Sequence, residues 1–198
     1  MFDAILFDLM GTVIYDPYLE ALQAATGMSL ATTFRARDPN CWPEFELGAI
    51  DEAEFVRRFF PDPEPGQEFD ITAFNRVRRE GYAFLPGMEE VLTALQGVTN
   101  RYVASNYPVW IEELRAAFAL ERYFEGFYAS CYLGFRKPDP AFFTALLDDL
   151  HLPAGRCLFI DDRRTNCDAA AEVGLTVHHF EDAERLKRDL AALGVITA

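Results

Sequence analysis

From Pro86 onward the chain alternates short apolar runs with amphipathic stretches. The periodicity predicts helix 88–96, strand 101–105, helix 109–119, strand 126–131, helix 139–150, strand 156–160, helix 165–173, strand 175–179 and helix 182–193. An earlier apolar run, Ala4–Asp8, reads as one more strand. Strands separated by helices of this length are joined by right-handed crossovers, which leave them parallel, with helices on both faces. The pattern therefore predicts an α/β fold built on a parallel sheet. In such sheets ligands bind beyond the C-terminal strand ends, so the residues that close each strand are the ones to inspect.

Between the first strand and the regular part lies a block of different character. Residues 17–84 are irregularly helical, with segments near 17–26, 51–60 and 71–84, broken by Pro39, Pro43, Pro61, Pro63 and Pro65. The block is too long for an ordinary strand-to-helix loop. It is expected to be a small helical unit inserted into the core, with residues 1–16 and 85–198 forming that core. Inserted there, it hangs over the strand ends, and the Pro61–Pro65 stretch reads as a turn between two of its helices.

Composition narrows the functional classes. Thirty-two acidic against eighteen basic residues give a net charge of −14, which repels nucleic acid phosphates and anionic membranes. No apolar stretch is long enough to span a bilayer, and Asp3 and Asp8 interrupt the N-terminal run, so it reads as a core strand and not as a leader. Cys41, Cys131, Cys157 and Cys167 show no CxxC pair or zinc-ligand spacing and are expected to be reduced thiols in a cytoplasmic protein. Sixteen of the basic residues are Arg; the two lysines are Lys137 and Lys187. In such a chain a Lys marks a place where a compact ammonium is needed and a planar guanidinium will not serve.

Four segments close predicted strands with polar residues. Asp8 follows Ile5-Leu6-Phe7 and is succeeded by Leu9-Met10-Gly11-Thr12; it is either a turn residue or a nucleophilic carboxylate. Ser105-Asn106 end Arg101-Tyr102-Val103-Ala104 and are either a helix cap or donors to an anionic oxygen. Lys137 stands in Gly134-Phe135-Arg136-Lys137-Pro138-Asp139-Pro140, held extended by the proline after it, either as a solvated side chain or as a charge placed to neutralise an anion. Asp161 and Asp162 end Leu158-Phe159-Ile160 and precede Asn166. Adjacent carboxylates repel, and a hard divalent cation offsets that cost if they are not simply solvated.

In order and spacing these segments resemble the four signatures of the haloacid dehalogenase-like (HAD) hydrolases: Asp-x-Asp-Gly-Thr, a strand ending in Ser or Thr, Gly-x-x-Lys-Pro-x-Pro-x-x-Phe completed here by Phe143, and Phe-Ile-Asp-Asp-x-x-x-Asn. The resemblance covers residues 1–16 and 85–198. It implies a Rossmann-like core, and it likens the insert to the C1-type cap of subfamily I. It further implies an aspartyl-phosphate on Asp8, a phosphate clamp from Ser105, Asn106 and Lys137, and Mg²⁺ held by Asp8, the backbone carbonyl of Met10 and Asp162. Asp161 and Asn166 would orient that site. The implied partner is a small phosphorylated metabolite, and the implied assembly a monomer or homodimer.

One position departs from the signature. Met10 stands where phosphatases of the family carry a second Asp, the general acid/base, and a thioether has no proton to give. Loss of such a group typically costs ~10²–10⁴-fold in rate. Subfamily members similar to glucose-1-phosphate phosphatases also lack that Asp, carry Gly-Asn there, and hydrolyse phosphoesters, so a phosphatase is the leading expectation. A 2-haloacid dehalogenase is the alternative, though Asp161-Asp162 is unlike that branch. A cap lysine of the phosphonoacetaldehyde hydrolase type is excluded, because residues 17–84 contain no Lys. A non-catalytic, phosphate-binding relative is the remaining reading.

Within the insert, Arg35, Arg37, Trp42 and Phe45 could contact a substrate, but a helix-surface role for the arginines and a core role for the aromatics are expected. Tyr107 and Trp110 follow the second segment and are read either as cleft lining or as helix packing. His178 and His179 sit next to each other on a strand and are expected to face opposite ways, not to form a metal pair.

Overall fold

The computed structural model describes residues 2–196; Met1 and the last two residues of the expected 85–198 segment lie outside the described residues. The chain begins with β1 (Ala4–Phe7) and β2 (Ile14–Tyr15), followed by α1 (Tyr18–Thr26), α2 (Leu30–Ala36), α3 (Cys41–Glu46), α4 (Glu52–Arg58) and α5 (Ile71–Gly81). It continues with β3 (Ala83–Phe84), α6 (Met88–Ala94), β4 (Asn100–Ser105), α7 (Ile111–Phe118), β5 (Gly126–Ala129), α8 (Ser130–Leu133) and α9 (Pro140–Leu150). It ends with β6 (Cys157–Asp161), α10 (Arg164–Glu172), β7 (Thr176–His179) and α11 (Ala183–Ala192).

Five strands form one sheet in the order β5-β4-β1-β6-β7, every neighbouring pair parallel. β1 is central, and all four of its residues are buried. Its pleat divides the interior. Ala4 and Leu6 face a cluster with Phe142, Phe143 and Leu146 of α9, whereas Ile5 and Phe7 face one that includes α6, α7 and α11. Four continuously apolar residues are what a strand covered on both faces requires. The chain runs from β1 outward to β4 on one side and β6 on the other. The crevice where that order reverses lies beside Asp8.

Helices α1–α5 all fall between β2 and β3, and they share the Ile5/Phe7 cluster. Phe45, Phe55, Phe59, Phe69 and Phe74 join it with Trp110 of the sheet-side chain. Edge-to-face and tilted contacts link these rings, as between Phe45 and Trp110 at 4.8 Å and Phe74 and Trp110 at 5.5 Å. No helix is long and apolar enough to cross a membrane among the described residues.

The structure corrects the sequence expectations in three places. Helix 71–84 stops at Gly81, and Ala83–Phe84 pairs antiparallel with Ile14–Tyr15. A Cβ on Gly81 would come within 2.6 Å of Pro17, so glycine lets the two ends of the helical block close together. Strand 126–131 ends at Ala129, because Ser130 opens a helical turn closed by Gly134 at φ 71°. Its hydroxyl takes a bond from Tyr107 N at 3.0 Å. Helices α2 and α3 lie in what reads as irregular chain: α2 is short and capped by Ser29, and α3 carries Pro43 in its first turn, where proline is tolerated.

Candidate active site

Asp8 leaves β1 with its backbone N–H donated to Ile160 O at 2.8 Å, which carries the sheet register one residue past the strand. Ser105 and Asp161 end the two flanking strands, so the three side chains arise side by side along the C-terminal edge. Lys137 comes from the loop before α9. It is 2 % exposed, which removes the solvated alternative. Its Nζ donates to Asp8 Oδ1 at 2.8 Å and to Asp161 Oδ2 at 2.7 Å.

The loop that delivers Lys137 is itself fixed. Asn106 Nδ2 donates to Lys137 O and Lys137 N donates to Asn106 Oδ1, both at 2.7 Å, so the Asn106 amide is matched to the lysine backbone on both sides. The peptide bond between Lys137 and Pro138 is cis. Asp139 caps α9 by accepting from Ala141 N.

Asp8, Asp161 and Asp162 bring carboxylate oxygens within 4.8 Å of one another. One ammonium cannot balance three carboxylates. Burial, reinforced by the charges of Asp161 and Asp162, pushes the Asp8 carboxyl up to about 7 despite Lys137. Burial and the Asp161 charge also raise Asp162. Burial alone would depress the Lys137 ammonium, but Asp8 and Asp161 outweigh it and raise it. Burial and mutual repulsion of the carboxylates thus both favour a bound cation.

The three carboxylates are not equivalent. Asp161 is saturated by protein donors: Arg163 N at 2.8 Å, Asn166 Nδ2 at 3.0 Å to each oxygen, and Lys137. Asp162 Oδ1, by contrast, is buried with no partner among the described residues, and so are Ser105 Oγ and Thr12 Oγ1. Orphaned buried oxygens are costly unless a ligand, ion or water completes them. The donor set suits a hard divalent cation, since all the available ligand atoms are oxygens. Asp162 is steered by its neighbours. A Cβ on Gly11, whose φ is +83°, would stand 2.8 Å from Asp162 Oδ2, and His179 Nε2 lies 2.9 Å from Asp162 O.

A cavity of about 420 Å³ opens above this cluster. Asp8, Met10, Asn106, Lys137 and Asn166 line it from the sheet side, Asp16 from the segment after β2, and Tyr18, Leu19, Phe34, Arg37, Trp42 and Glu46 from the helical block. Arg136, Arg163 and Tyr107 complete it. Glu46 joins the two sides, accepting from Trp42 Nε1 at 2.9 Å and from Arg136 Nη2.

Among the sequence candidates, Asp8, Lys137, Asp161, Asp162 and Asn166 converge directly, with Ser105 and Asn106 on the adjoining strand end. Arg37 departs from its expected helix-surface role by lining the cavity. Trp42 has the expected core packing, against Phe45, Phe55 and Trp110, and lines the cavity as well, packed on Tyr18 at 4.4 Å. Arg35 borders a separate surface hollow, and Phe45 is buried among aromatic rings. Tyr107 lines the cavity, whereas Trp110 is buried with its Nε1 on Glu52 at 2.7 Å. His178 is buried toward Asp189, while His179 reaches the Asp162 carbonyl, a contact that strand alternation alone does not reveal. Thr12, Asp16, Tyr18, Glu46, Arg136 and Arg163 were not singled out from sequence. Thr12, Arg136 and Arg163 lie inside the four segments and could have been; the others carry no local signal.

Comparison with known proteins shows the family. The family described as haloacid dehalogenase-like hydrolase matches residues 2–174. The chain belongs to the haloacid dehalogenase-like hydrolases. Flavin mononucleotide hydrolase 1 of Arabidopsis thaliana is 38% identical over 96% of this chain and 77% of its own length. A sesquiterpene phosphatase of Aspergillus oryzae is 27% identical over 92% of this chain and 91% of its own. The crystal structure of a HAD-family enzyme from Bacteroides thetaiotaomicron, in complex with magnesium and inorganic phosphate, superimposes with a TM-score of 0.77 at 22% identity. That match covers 94% of this chain and 99% of the other, and it speaks to fold. The protein is thus a hydrolase of the HAD family with phosphatase-named relatives.

Proposed function

We propose that this chain is a Mg²⁺-dependent phosphatase that hydrolyses small phosphomonoesters through an aspartyl-phosphate on Asp8. The observation that carries the reading is the set of buried, partnerless oxygens of Asp162, Ser105 and Thr12 around a carboxylate cluster short of positive charge. Such a site suits a cation together with an anion of several oxygens, and a phosphoryl group beside a divalent metal fits both.

Asp8, the backbone carbonyl of Met10 and Asp162 would hold Mg²⁺. When bound, it would neutralise the carboxylates and the phosphoryl oxygens. Asp8 carries one oxygen on Lys137 and uses the carboxylate to attack phosphorus; Ser105 donates its hydroxyl to a phosphoryl oxygen. Lys137 holds its proton throughout and balances the charge that builds up on the transferring group. Asn106 acts by fixing the Lys137 backbone, and Asn166 by holding Asp161, which in turn positions the Lys137 ammonium.

Residues 17–84 serve as a cap whose side chains select the leaving group. The cavity combines three guanidinium groups, Arg37, Arg136 and Arg163, with the apolar surfaces of Met10, Tyr18, Leu19, Phe34 and Trp42. That lining suits a phosphoester whose alcohol part has a flat or apolar face. The names of the Arabidopsis and Aspergillus relatives favour the same kind of compound, and flavin mononucleotide is the first substrate to assay. The test is phosphate release from flavin mononucleotide and p-nitrophenyl phosphate with Mg²⁺, compared with EDTA and with Asp8→Asn. Release abolished by either change is the expected result; no release from either ester by the wild type refutes the proposal.

A further inference from the structure

Position 10 has no acid, yet expulsion of an alkoxide and attack by water both need a proton carrier. A replacement must line the cavity, present an unoccupied oxygen or nitrogen, and exchange a proton near neutral pH. Few groups qualify. No histidine lines the cavity. Asp8 is the nucleophile and Lys137 is tied to two carboxylates. The two oxygens of Glu46 are taken by Trp42 and Arg136. Burial pushes the phenols of Tyr18 and Tyr107 upward, so neither yields its proton readily.

Asp16 remains. The turn after Asp8 is closed by Gly11 N to Ile14 O at 2.8 Å and by Val13 N and Ile14 N to Leu9 O at 2.9 and 2.8 Å. Asp16 follows β2 directly and lines the same cavity as Asp8 and Met10. Its Oδ1 accepts from Tyr18 N at 3.1 Å, and its Oδ2 accepts no hydrogen bond among the described residues. We propose that Asp16, on the segment that leads from β2 into the helical block, carries the proton that Met10 cannot. The inference rests on the phosphatase reading above.

The chemistry balances. In the first step the Asp16 carboxyl protonates the ester oxygen while the phosphorus–oxygen bond to the leaving group breaks and the bond from Asp8 forms, releasing the alcohol. In the second, the Asp16 carboxylate takes a proton from water as its oxygen bonds to phosphorus and the Asp8–phosphorus bond breaks. This frees phosphate and restores the Asp16 acid. The environment suits both directions. Burial, with smaller contributions from the Glu46 and Glu20 charges, outweighs the Tyr18 N–H and Arg163, which lower it, and lifts the carboxyl to about 6. The phenols of Tyr82 and Tyr107 also face it.

The test is rapid mixing of the full chain and its Asp16→Asn variant with p-nitrophenyl phosphate and Mg²⁺, with acid quenching to count phosphoenzyme. Nitrophenolate leaves without protonation, so Asp16→Asn should release one equivalent in a burst. It should then turn over ~10²–10⁴-fold more slowly than wild type, with Asp8 phosphorylated in the steady state. Adding Met10→Asp to that variant should restore turnover. Asp16→Asn turning over at the wild-type rate would overturn the inference. So would slow turnover with no burst, no phosphoenzyme and no rescue, which would mark Asp16 as structural. A wild type that neither releases phosphate nor becomes phosphorylated would instead refute the phosphatase reading itself.

Discussion

Gly11 and Asp162 approach so closely that a Cβ on residue 11 would stand 2.8 Å from Asp162 Oδ2. The turn that follows the nucleophile and the loop that offers the unpartnered carboxylate are thus fitted to each other through one missing side chain. The same glycine takes φ +83°, which other residues adopt only at a cost. Gly11→Ala should therefore lose about 1–3 kcal/mol of folding stability and displace Asp162. The checks are denaturant unfolding and Mg²⁺ titration of the thermal midpoint. A variant that keeps both the stability and the metal response of the wild type would contradict this fit.

Ser105 separates function from stability. Its hydroxyl is buried without a partner among the described residues, so the folded chain gains nothing from it in the absence of ligand. Ser105→Ala should leave the unfolding free energy within about 0.5 kcal/mol of wild type, or raise it. Phosphate release should fall on the order of 10²-fold, as for loss of a donor to a developing anion. Unfolding curves and steady-state kinetics on the same preparation decide the matter.

The Asp16 carboxyl gives a pH signature that needs no substrate. Its pKa rises on folding from 3.8 to about 6, mainly through burial, so the folded state holds the proton more tightly than the unfolded state. That contribution is complete below pH ~4 and is lost as pH rises through ~6. Asp16→Asn removes the titration. Relative to wild type it should gain of order 1–2 kcal/mol between pH 4 and 7, discounted for the partial exposure of the side chain. Chemical unfolding of both proteins across that range checks the sign, and a difference that shrinks with rising pH would contradict it.

The fold was legible because its strands are short apolar runs that end abruptly at polar residues; Asp8, Ser105 and Asp161 announce themselves in this way. Lys137 stood out because lysine is scarce in the chain. The rest depends on relations that no local pattern records. A two-residue pairing such as Ile14–Tyr15 with Ala83–Phe84 has no periodicity to detect. Asp16 and Glu46 resemble ordinary surface acids in sequence and become cavity residues only when β2 and α3 fold over the sheet edge. The cavity-facing position of Arg37, and the second, cavity-lining face of Trp42, escape the sequence for a related reason. A helix presents several faces, and which of them meets the core is set by the fold as a whole.

The lining of the cavity predicts a discriminating response to substrate. Phe34 is 42% exposed although its ring borders the cavity, with the Arg37 guanidinium 4.7 Å from its centroid. Phe34→Ala should raise KM for flavin mononucleotide about 10-fold, the loss expected for roughly 1–1.5 kcal/mol of aromatic contact, and leave p-nitrophenyl phosphate hydrolysis close to wild type. Equal effects on both esters would show that the ring does not contact the larger leaving group.

The most direct measurement of the central claim is phosphopeptide mapping after acid quenching of the wild-type protein during turnover of p-nitrophenyl phosphate with Mg²⁺. A hydroxylamine-labile phosphoryl group on the peptide that contains Asp8, absent from Asp8→Asn, is the predicted result. Phosphate release with Asp8 never phosphorylated, or an Asp8→Asn variant that turns over at the wild-type rate, would contradict it.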